Sequence, residues 1–259
     1  MNFAAALLLF AAGFVAGVMN ALAGGGTILT FPALIFAGLR ALDANATSTV
    51  ALLPGALAGV FGYRRNIPAA AGWIRRFALA SLGGGLIGGM LLTRTPAKTF
   101  AWLVPFLILF ATVLFMARGF FARLFRRESK PAHPPTPAWI AVAIFFQFAV
   151  AVYGGYFGAG IGILMLASLG MLGIGHIHEM NTVKNVLGFL INIIAAIYFA
   201  CSGLVHWPAA GLMMLGAMSG GFCGAHYAQK IPHAMVKHIV TGIGLILAAV
   251  MFAKQFLLR

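Results

Sequence analysis

Acidic residues are almost absent from this chain of 259 residues, which has only Asp43, Glu128 and Glu179. The shortage argues against catalysis by paired carboxylates and against a carboxylate-rich metal site, because both need several acids close together. Cysteine is equally scarce: Cys201 and Cys223 lie in apolar runs and form no CxxC motif. The sequence also has no Walker motif and no haem-binding CxxCH. We therefore expect no cofactor, no bound metal and no enzyme activity.

Charged residues make up only 8% of the chain and apolar residues 62%, whereas soluble domains have about 25% charged residues. This number of charges is too small to cover the surface of a soluble protein of this length. The natural solvent of the chain is therefore a lipid bilayer. The net charge of +14 could indicate nucleic-acid binding, but basic loops on the cytoplasmic side of a membrane explain it better. We expect the bilayer, and no nucleic acid, as a partner.

Eight apolar stretches have about the 20 residues that a membrane-spanning helix needs. They run near 3–20, 44–62, 73–93, 98–118, 138–156, 180–200, 208–228 and 235–256. Two further apolar stretches, near 27–38 and 161–174, are too short to span and are typical of re-entrant or half helices. The sequence therefore predicts an all-α integral membrane protein with about eight transmembrane helices.

A polar stretch rich in Arg and Pro divides the chain almost in half, and this composition is typical of a linker. The predicted organisation is a first transmembrane repeat at 1–118, a basic, Pro-rich linker at 119–137 and a second transmembrane repeat at 138–259. An offset of 135 or 136 residues superimposes four segments of the two halves, which favours an internal duplication into two four-helix repeats. The matches include Gly25 with Gly160, Thr47 with Thr182 and Gly84 with Gly220. Repeats are a hallmark of secondary transporters, whose site lies at the repeat interface.

The basic residues suggest a topology but leave two alternatives open. If all eight stretches cross the membrane, 11 basic residues lie on one side and 5 on the other, and both termini share the cytoplasmic side with the 11. If each first helix and its short companion form a V, the repeats are inverted, and the same count of 11 against 5 puts both termini outside. In either case we expect a multi-pass protein of a bacterial inner membrane.

A run of three glycines interrupts the first apolar region, and a similar Gly-rich break follows the fifth span. Glycines end helices and expose backbone amides, and Gly26 or Thr27 can begin the next helix. A helix N-terminus at membrane depth is an anion site that needs no charged side chain. Close helix packing is the alternative reading of these glycines. The candidate binding residues at the two breaks are Asn20, Gly24, Gly25, Gly26, Thr27, Gly158 and Gly160.

Three consecutive hydroxyl side chains, Thr47, Ser48 and Thr49, lie near the start of the second span. They can donate to an anion, or they can cap the helix and bond back to its carbonyls. Asp43 or Asn45 is the alternative N-cap of this helix. Pro54 is expected to kink the same span.

A polar face is predicted on the sixth span, where Lys184 is the only cation that we place inside the membrane. An intramembrane charge is costly and is a functional hypothesis by default. Lys184 either binds an oxyanion together with amide donors, or it snorkels to the interface or pairs with Glu179. Glu179 and His226 are candidates for proton coupling. The binding candidates on this helical face are Asn181, Lys184, Asn185 and Asn192, spaced so that they share one side of the helix with Gly188.

The stretch AGVMNALAGGGTILTFPALIFAGL, followed by ANATST, resembles the first repeat of the TauE/SafE sulfite-exporter family, also called the toluene sulfonate uptake permeases. In the second half, YGGYFGAGIGILMLASLGMLG and NTVKNVLGFLINIIAAIYF are similar to the same family. There, Asn181–Asn185 replaces the Thr-Ser element of many members, and Ala167 stands opposite Pro32. The residues that fit the family pattern in the first half are Gly24, Gly25, Gly26, Pro32, Gly38, Ala46, Thr47 and Ser48.

The resemblance implies a secondary transporter for small sulfur-containing anions: sulfite, sulfonates such as sulfoacetate, and thiosulfate. It implies coupling to the proton gradient rather than to ATP, and alternating access around a site between the repeats. Import and export both occur in the family. The alternatives are an uncoupled anion channel and, with much less support, a membrane-embedded enzyme. A small anion and the lipid bilayer are the expected partners, and a homodimer is left open.

Overall fold

The computed structural model describes residues 3–22, 25–127, 136–171, 177–227 and 233–256, and the regular structure in this part of the chain is helical. The helices are α1 (Phe3–Leu22), α2 (Thr27–Phe36), α3 (Ala41–Ala51), α4 (Leu53–Gly62), α5 (Ile67–Arg94), α6 (Ala97–Arg127), α7 (Pro137–Tyr156), α8 (Ile161–Met171), α9 (Ile177–Cys201), α10 (Trp207–Tyr227) and α11 (His233–Phe256), with a 3₁₀ turn at Arg64–Asn66. The predicted all-α class is confirmed.

Six segments of the described chain are long and apolar enough to cross a membrane, which confirms the prediction of a multi-pass membrane protein. They are Phe3–Asn20, Ala41–Gly62, Arg64–Arg94, Ala97–Ala117, Pro137–Tyr156 and His178–Cys201. The last two predicted spans coincide with α10 and α11, which are not among the six. The count of eight crossings therefore stays a prediction.

The two short helices α2 and α8 match the predicted half helices. α2 has 10 residues and α8 has 11, so at 1.5 Å per residue each is about half as long as the roughly 30 Å hydrocarbon core is thick. α6 continues through Arg127 and α7 begins at Pro137. The first part of the predicted linker, 119–127, is thus helical, and the centre of the linker lies outside the described residues.

The second predicted span is interrupted, as Pro54 led us to expect. α3 ends at Ala51, α4 begins at Leu53, and Pro54 occupies the first turn of α4, where its missing N–H is tolerated. The predicted N-caps of α3 were wrong. Arg40 precedes the helix, while Asp43 lies in its first turn and accepts a 2.7 Å ion pair from Arg40, and Asn45 lies farther inside the helix. α3 thus begins directly after the extended backbone of Arg40, before either Asp43 or Asn45 could act as its cap.

The most extensive helix pairs join the two halves of the chain, α1 with α10 and α5 with α7. A β-carbon built on Gly84 of α5 would lie 2.7 Å from the carbonyl oxygen of Phe148 in α7. The same substitution at Gly220 of α10 would strike the carbonyl of Phe14 in α1. These glycines let backbones approach closely, as small residues do in membrane helices. Gly84 and Gly220, matched by the offset of 136, therefore perform the same packing role.

Helix directions follow from which residues lie side by side. In the first pair, Gly13 lies beside Met213 and Gly17 beside Ala217, so α1 and α10 run parallel. In the second pair, α5 and α7 run parallel because Gly84 lies beside Phe148 and Gly88 beside Val152. α5 and α9 also run parallel, because Gly85 lies beside Ile191 and Gly89 beside Tyr198. We call the end of the molecule where α5, α7 and α9 finish the Arg94 end, and the end where they begin the Arg75 end.

α10 runs opposite to α7 and α9. It starts at the Arg94 end, where the backbone N–H of His206 donates to Thr47 in α3. From there it passes Gly17 of α1, whose helix leads on to Asn20 beside Gly55 of α4. α1 therefore runs opposite to α7, the helix that begins the second predicted repeat. These directions fit the inverted alternative of the two topologies that the charge count left open.

Candidate anion-binding site

The first break is held by Asn20. Gly25 adopts φ 95°, a left-handed conformation that glycine accepts without strain, and Gly26 immediately precedes α2, as the sequence predicted. The Oδ1 atom of Asn20 accepts a 2.9 Å hydrogen bond from the Gly26 N–H. One amide of this break is therefore already used inside the protein. Thr27 is half-buried as the first residue of α2, and Gly24 lies outside the described residues.

The second break is held in the opposite sense. Gly158 and Gly160 have φ values of 80° and 82°. The hydroxyl of Tyr153 donates a 2.7 Å hydrogen bond to the carbonyl oxygen of Ala159. The side chain here thus binds a carbonyl rather than an amide, although the Gly158 N–H also donates to the Tyr153 carbonyl at 3.2 Å and the Ile163 N–H to the Gly160 carbonyl at 3.0 Å. The first turn of α8 presents backbone N–H groups that have no partner within their own helix.

Both breaks lie against the same turn of α6. A β-carbon on Gly25 would be 3.4 Å from the ring of Phe115, and one on Gly160 would be 3.5 Å from Leu114 and 3.8 Å from Ala111. The structure therefore brings the two predicted breaks to one level of the molecule. Whether they enclose one cavity stays a prediction.

The predicted polar face of α9 packs against the second break and against α4. The aliphatic stem of Lys184 crosses the first turn of α8, with its Cδ 3.4 Å from a β-carbon built on Gly162. The side-chain amide of Asn185 donates to the carbonyl of Gly59 at 3.5 Å. Lys184 and Asn185 are both half-buried, so they are accessible without facing away from the bundle.

Asn192 is the closest member of this face to the second break. Its Nδ2 donates a 2.8 Å hydrogen bond to the Gly188 carbonyl one turn earlier, and its Oδ1 lies 4.0 Å from a β-carbon built on Gly158. Asn181 is half-buried near the start of the helix, and Glu179 is half-buried in the first turn. His226 belongs to α10, but its side chain lies outside the described part.

The hydroxyl triplet of α3 makes structural hydrogen bonds. Thr47 and Ser48 are fully buried: Thr47 accepts from the His206 N–H at 3.0 Å, and Ser48 shares a 2.6 Å hydrogen bond with Thr30 of α2. Thr49 donates to the Asn45 carbonyl one turn earlier at 3.0 Å. The triplet thus joins α3 to α2 and to the start of α10, and only Thr49 makes the back-bond to its own helix. Anion binding by the triplet stays a prediction.

Tyr153 and Gly59 are site neighbours that the sequence did not reveal. Gly162, by contrast, belongs to the Gly-rich stretch 158–162 that the sequence indicates as the second break. Gly59 contacts an asparagine 126 residues away, and Tyr153 reaches across a turn whose shape no local pattern specifies. Neither residue has a sequence signal of its own.

Several proteins similar to this chain are named as probable membrane transporters. A probable membrane transporter protein of Haemophilus influenzae is 26% identical over 249 residues, which are 96% of this chain and 94% of that protein. A probable membrane transporter protein, ORF9, of a Sinorhizobium species is 27% identical over 93% of this chain and 89% of its own length. The probable membrane transporter protein YfcA of Escherichia coli K12 is 26% identical over 95% of this chain and 88% of its own length. No solved structure matches the chain.

These similarities indicate a membrane transporter rather than an enzyme. The family described as sulfite exporter TauE/SafE matches residues 9–251. Because this match covers nearly all helices described above, the chain belongs to the TauE/SafE sulfite exporter family.

Proposed function

We propose that this protein is a secondary transporter of small sulfur-containing anions in a bacterial inner membrane. Sulfite and sulfonates such as sulfoacetate are the first candidates, followed by thiosulfate. Transport proceeds by alternating access around one site between two inverted repeats and is coupled to protons. The observation that carries the proposal is the position of Lys184, half-buried and packed across the first turn of α8 at Gly162.

The chemistry of this position suits an oxyanion. Lys184 supplies a positive charge, and the N-terminus of α8 supplies backbone donors and the positive end of a helix dipole. Amide side chains of Asn181, Asn185 and Asn192 add neutral donors on the same helical face. A sulfite or sulfonate group has three oxygens that can accept from such a surrounding. At the first break the Gly26 amide is bound to Asn20, so we place the anion at the second break.

Several features support the division into two repeats. Each half begins with a 20-residue helix, and a glycine break and a short helix follow it. Gly25 and Gly160, matched by the offset of 135, both adopt positive φ. α1 and α7 run in opposite directions, as counterparts in inverted repeats do.

The site is tested by anion-induced thermal stabilisation, because a ligand that binds the folded protein raises its apparent stability. Purified protein is heated with sulfite, sulfoacetate, thiosulfate or, as the reference anion, chloride. We expect Lys184→Met to lose the stabilisation and Lys184→Arg to keep part of it, since charge survives while shape changes. Lys98→Met is the matched control, because it removes the same charge from an exposed position at the start of α6.

Stabilisation of Lys184→Met equal to that of wild type would make the lysine a snorkelling anchor and would remove the charged member of the site. Stabilisation by none of the three sulfur anions would refute the substrate class itself.

The mode of transport is tested by flux into liposomes. A proton-coupled transporter accumulates the anion when a pH gradient is imposed, and replacing Glu179 by Gln is expected to weaken this response. His226→Gln tests the other coupling candidate in the same assay. Flux that ignores the gradient in wild-type protein favours the alternative of an uncoupled anion channel.

A further inference from the structure

Three contacts join the two halves of the chain at the Arg94 end. The Nδ2 atom of Asn45 donates to the carbonyl oxygen of Tyr156 at 2.9 Å. Thr47 accepts from the His206 N–H at 3.0 Å. The rings of Phe31 and Phe157 meet edge to face with centroids 5.5 Å apart. Each contact pairs a residue of α2 or α3 with the second half, next to a glycine break or a helix end.

Four side chains of this cluster are buried, whereas Tyr156 is half-buried and His206 is exposed. Asn45, Thr47 and Phe31 are 0% exposed and Phe157 is 2% exposed. By contrast, the polar face of α9 and its neighbour Gly59 are half-buried. Lysine and asparagine side chains on one helical face belong in a water-filled cavity rather than in lipid. Exposure of this face increases toward the start of α9, where Glu179 is half-buried and His178 is exposed, and the start of α9 lies at the Arg75 end. The four buried residues of the cluster lie toward the Arg94 end.

Charge identifies the two ends. The Arg75 end carries Arg64, Arg65, Arg75 and Arg76, all near the start of α5. The Arg94 end carries Arg94, Lys98 and Arg40, and the charge of Arg40 is offset by Asp43. The side richer in basic residues is cytoplasmic, so the Arg94 end is extracytoplasmic.

We infer that Asn45–Tyr156, Thr47–His206 and Phe31–Phe157 form the extracytoplasmic gate of the transporter, closed in this structure, which is open to the cytoplasm. The inference rests on the proposed function, since a gate belongs to alternating access. Separation of the halves at these three contacts would open the site to the outside without breaking either half.

One polar atom of the gate lacks a hydrogen bond in the closed form, and this favours opening. The Oδ1 atom of Asn45 is buried without a hydrogen-bond partner, although Nδ2 of the same amide is bound. A buried acceptor without a donor is unfavourable, and water reaching it on opening would remove that cost. Hydration of this oxygen would thus offset part of the free energy that is lost when the three contacts separate.

Thiol labelling from each side of the membrane tests the gate. Gly59→Cys is the reporter, because its side chain would lie next to Asn185 of the candidate site. The new β-carbon would be 3.7 Å from Asn185, an ordinary contact that the fold can accept. It is placed in a chain with Cys201→Ala and Cys223→Ala. We expect a membrane-impermeant maleimide to label it in inside-out vesicles and to leave it protected in right-side-out vesicles. The reference is a second chain that carries Cys223→Ala and keeps the native Cys201, exposed at the Arg94 end of α9, whose labelling should show the reverse.

Thr47→Val removes the acceptor of the His206 bond with little change in shape. We expect it to raise labelling of Gly59→Cys from the outside by roughly three- to tenfold, the population shift that corresponds to one hydrogen bond. Thr182→Val is the matched control. Thr182 is the offset partner of Thr47 and is equally buried, but its hydroxyl bonds within α9 to His178.

Equal labelling of Gly59→Cys from both sides in the wild-type background would overturn the gate. An identical effect of Thr47→Val and Thr182→Val would also overturn it. The labelling needs no substrate, so its outcome is independent of the anion assay. One-sided labelling together with unchanged anion binding by Lys184→Met would keep the gate and reject the proposed anion site.

Discussion

At the scale of single residues, Tyr153 determines how the second break is held. Its hydroxyl bonds the Ala159 carbonyl, so this carbonyl oxygen, which would repel an anion, is satisfied within the protein. We expect Tyr153→Phe to lower the free energy of unfolding by about 1 kcal/mol, the net value of one hydrogen bond. It should also weaken anion-induced stabilisation, although Tyr153 does not touch the anion.

Tyr198→Phe is the control for this experiment. It removes a hydroxyl that shares a 3.1 Å hydrogen bond with Thr93, away from the break. Both variants are compared by thermal unfolding with and without anion. A similar fall in stability is expected for both, and loss of anion response only for Tyr153→Phe. Equal anion-induced stabilisation of the two variants would show that Tyr153 has only a structural role.

Local chemistry could be predicted from the sequence, and distant contacts could not. Gly26 before α2, the break near Pro54 and the shared face of Lys184 and Asn185 follow from residue type and helical spacing. The bonding of Thr47 depends on a residue 159 positions away, and that of Asn45 on one 111 positions away. The same hydroxyl triplet is consistent with binding or with packing until those partners are known.

At the scale of the helices, the pairs α5–α7 and α1–α10 depend on glycine. A β-carbon on Gly88 would overlap the carbonyl of Val152 and approach the Tyr156 nitrogen to 2.7 Å. We expect Gly88→Ala to destabilise the protein by roughly 1–3 kcal/mol, as overpacking does. Gly72→Ala in the same helix meets nothing within 4 Å. It should be neutral or should stabilise by up to about 1 kcal/mol through helix propensity.

The two glycine variants are compared by their thermal midpoints in the same detergent. A midpoint of Gly88→Ala at or above that of Gly72→Ala would contradict the close approach of α5 and α7.

The start of α10 has an unusual cap. The Nδ1 atom of His206 accepts from the Ala209 N–H at 3.3 Å, in the position where serine or asparagine usually serves. We expect His206→Ala to cost about 1 kcal/mol and His206→Asn to retain most of the stability, since Asn is a good N-cap. Chemical unfolding of the purified variants measures the difference. Equal losses in both would show that the imidazole acts by packing instead.

At the scale of the whole molecule, the helix directions fix where the ends of the chain lie. α1 begins at the Arg94 end, because it runs parallel to α10. α11 runs opposite to α6, since Gly244 lies beside Thr112 and Phe252 beside Phe106. It therefore finishes at the same end. The sequence alone could not decide this, because the charge count was 11 against 5 in both topologies.

Reporter fusions test this orientation. Alkaline phosphatase joined after α11 is expected to be active, because it needs the oxidising periplasm. Green fluorescent protein inserted between α6 and α7 is expected to fluoresce, because it needs the cytoplasm. The reverse pattern would place the Arg94 end in the cytoplasm and invert the proposed state of the transporter.

The packing of α1 on α10 and of α5 on α7, each between the two halves of the chain, has a consequence for biosynthesis. While the ribosome is still translating the second half, α1 and α5 are in the bilayer with their glycine faces covered only by lipid, because Met213 is made 200 residues after Gly13. Assembly must therefore be completed late, after the last long helices have inserted. Cutting the gene between α6 and α7 should yield two polypeptides that are degraded when made alone and are rescued when made together.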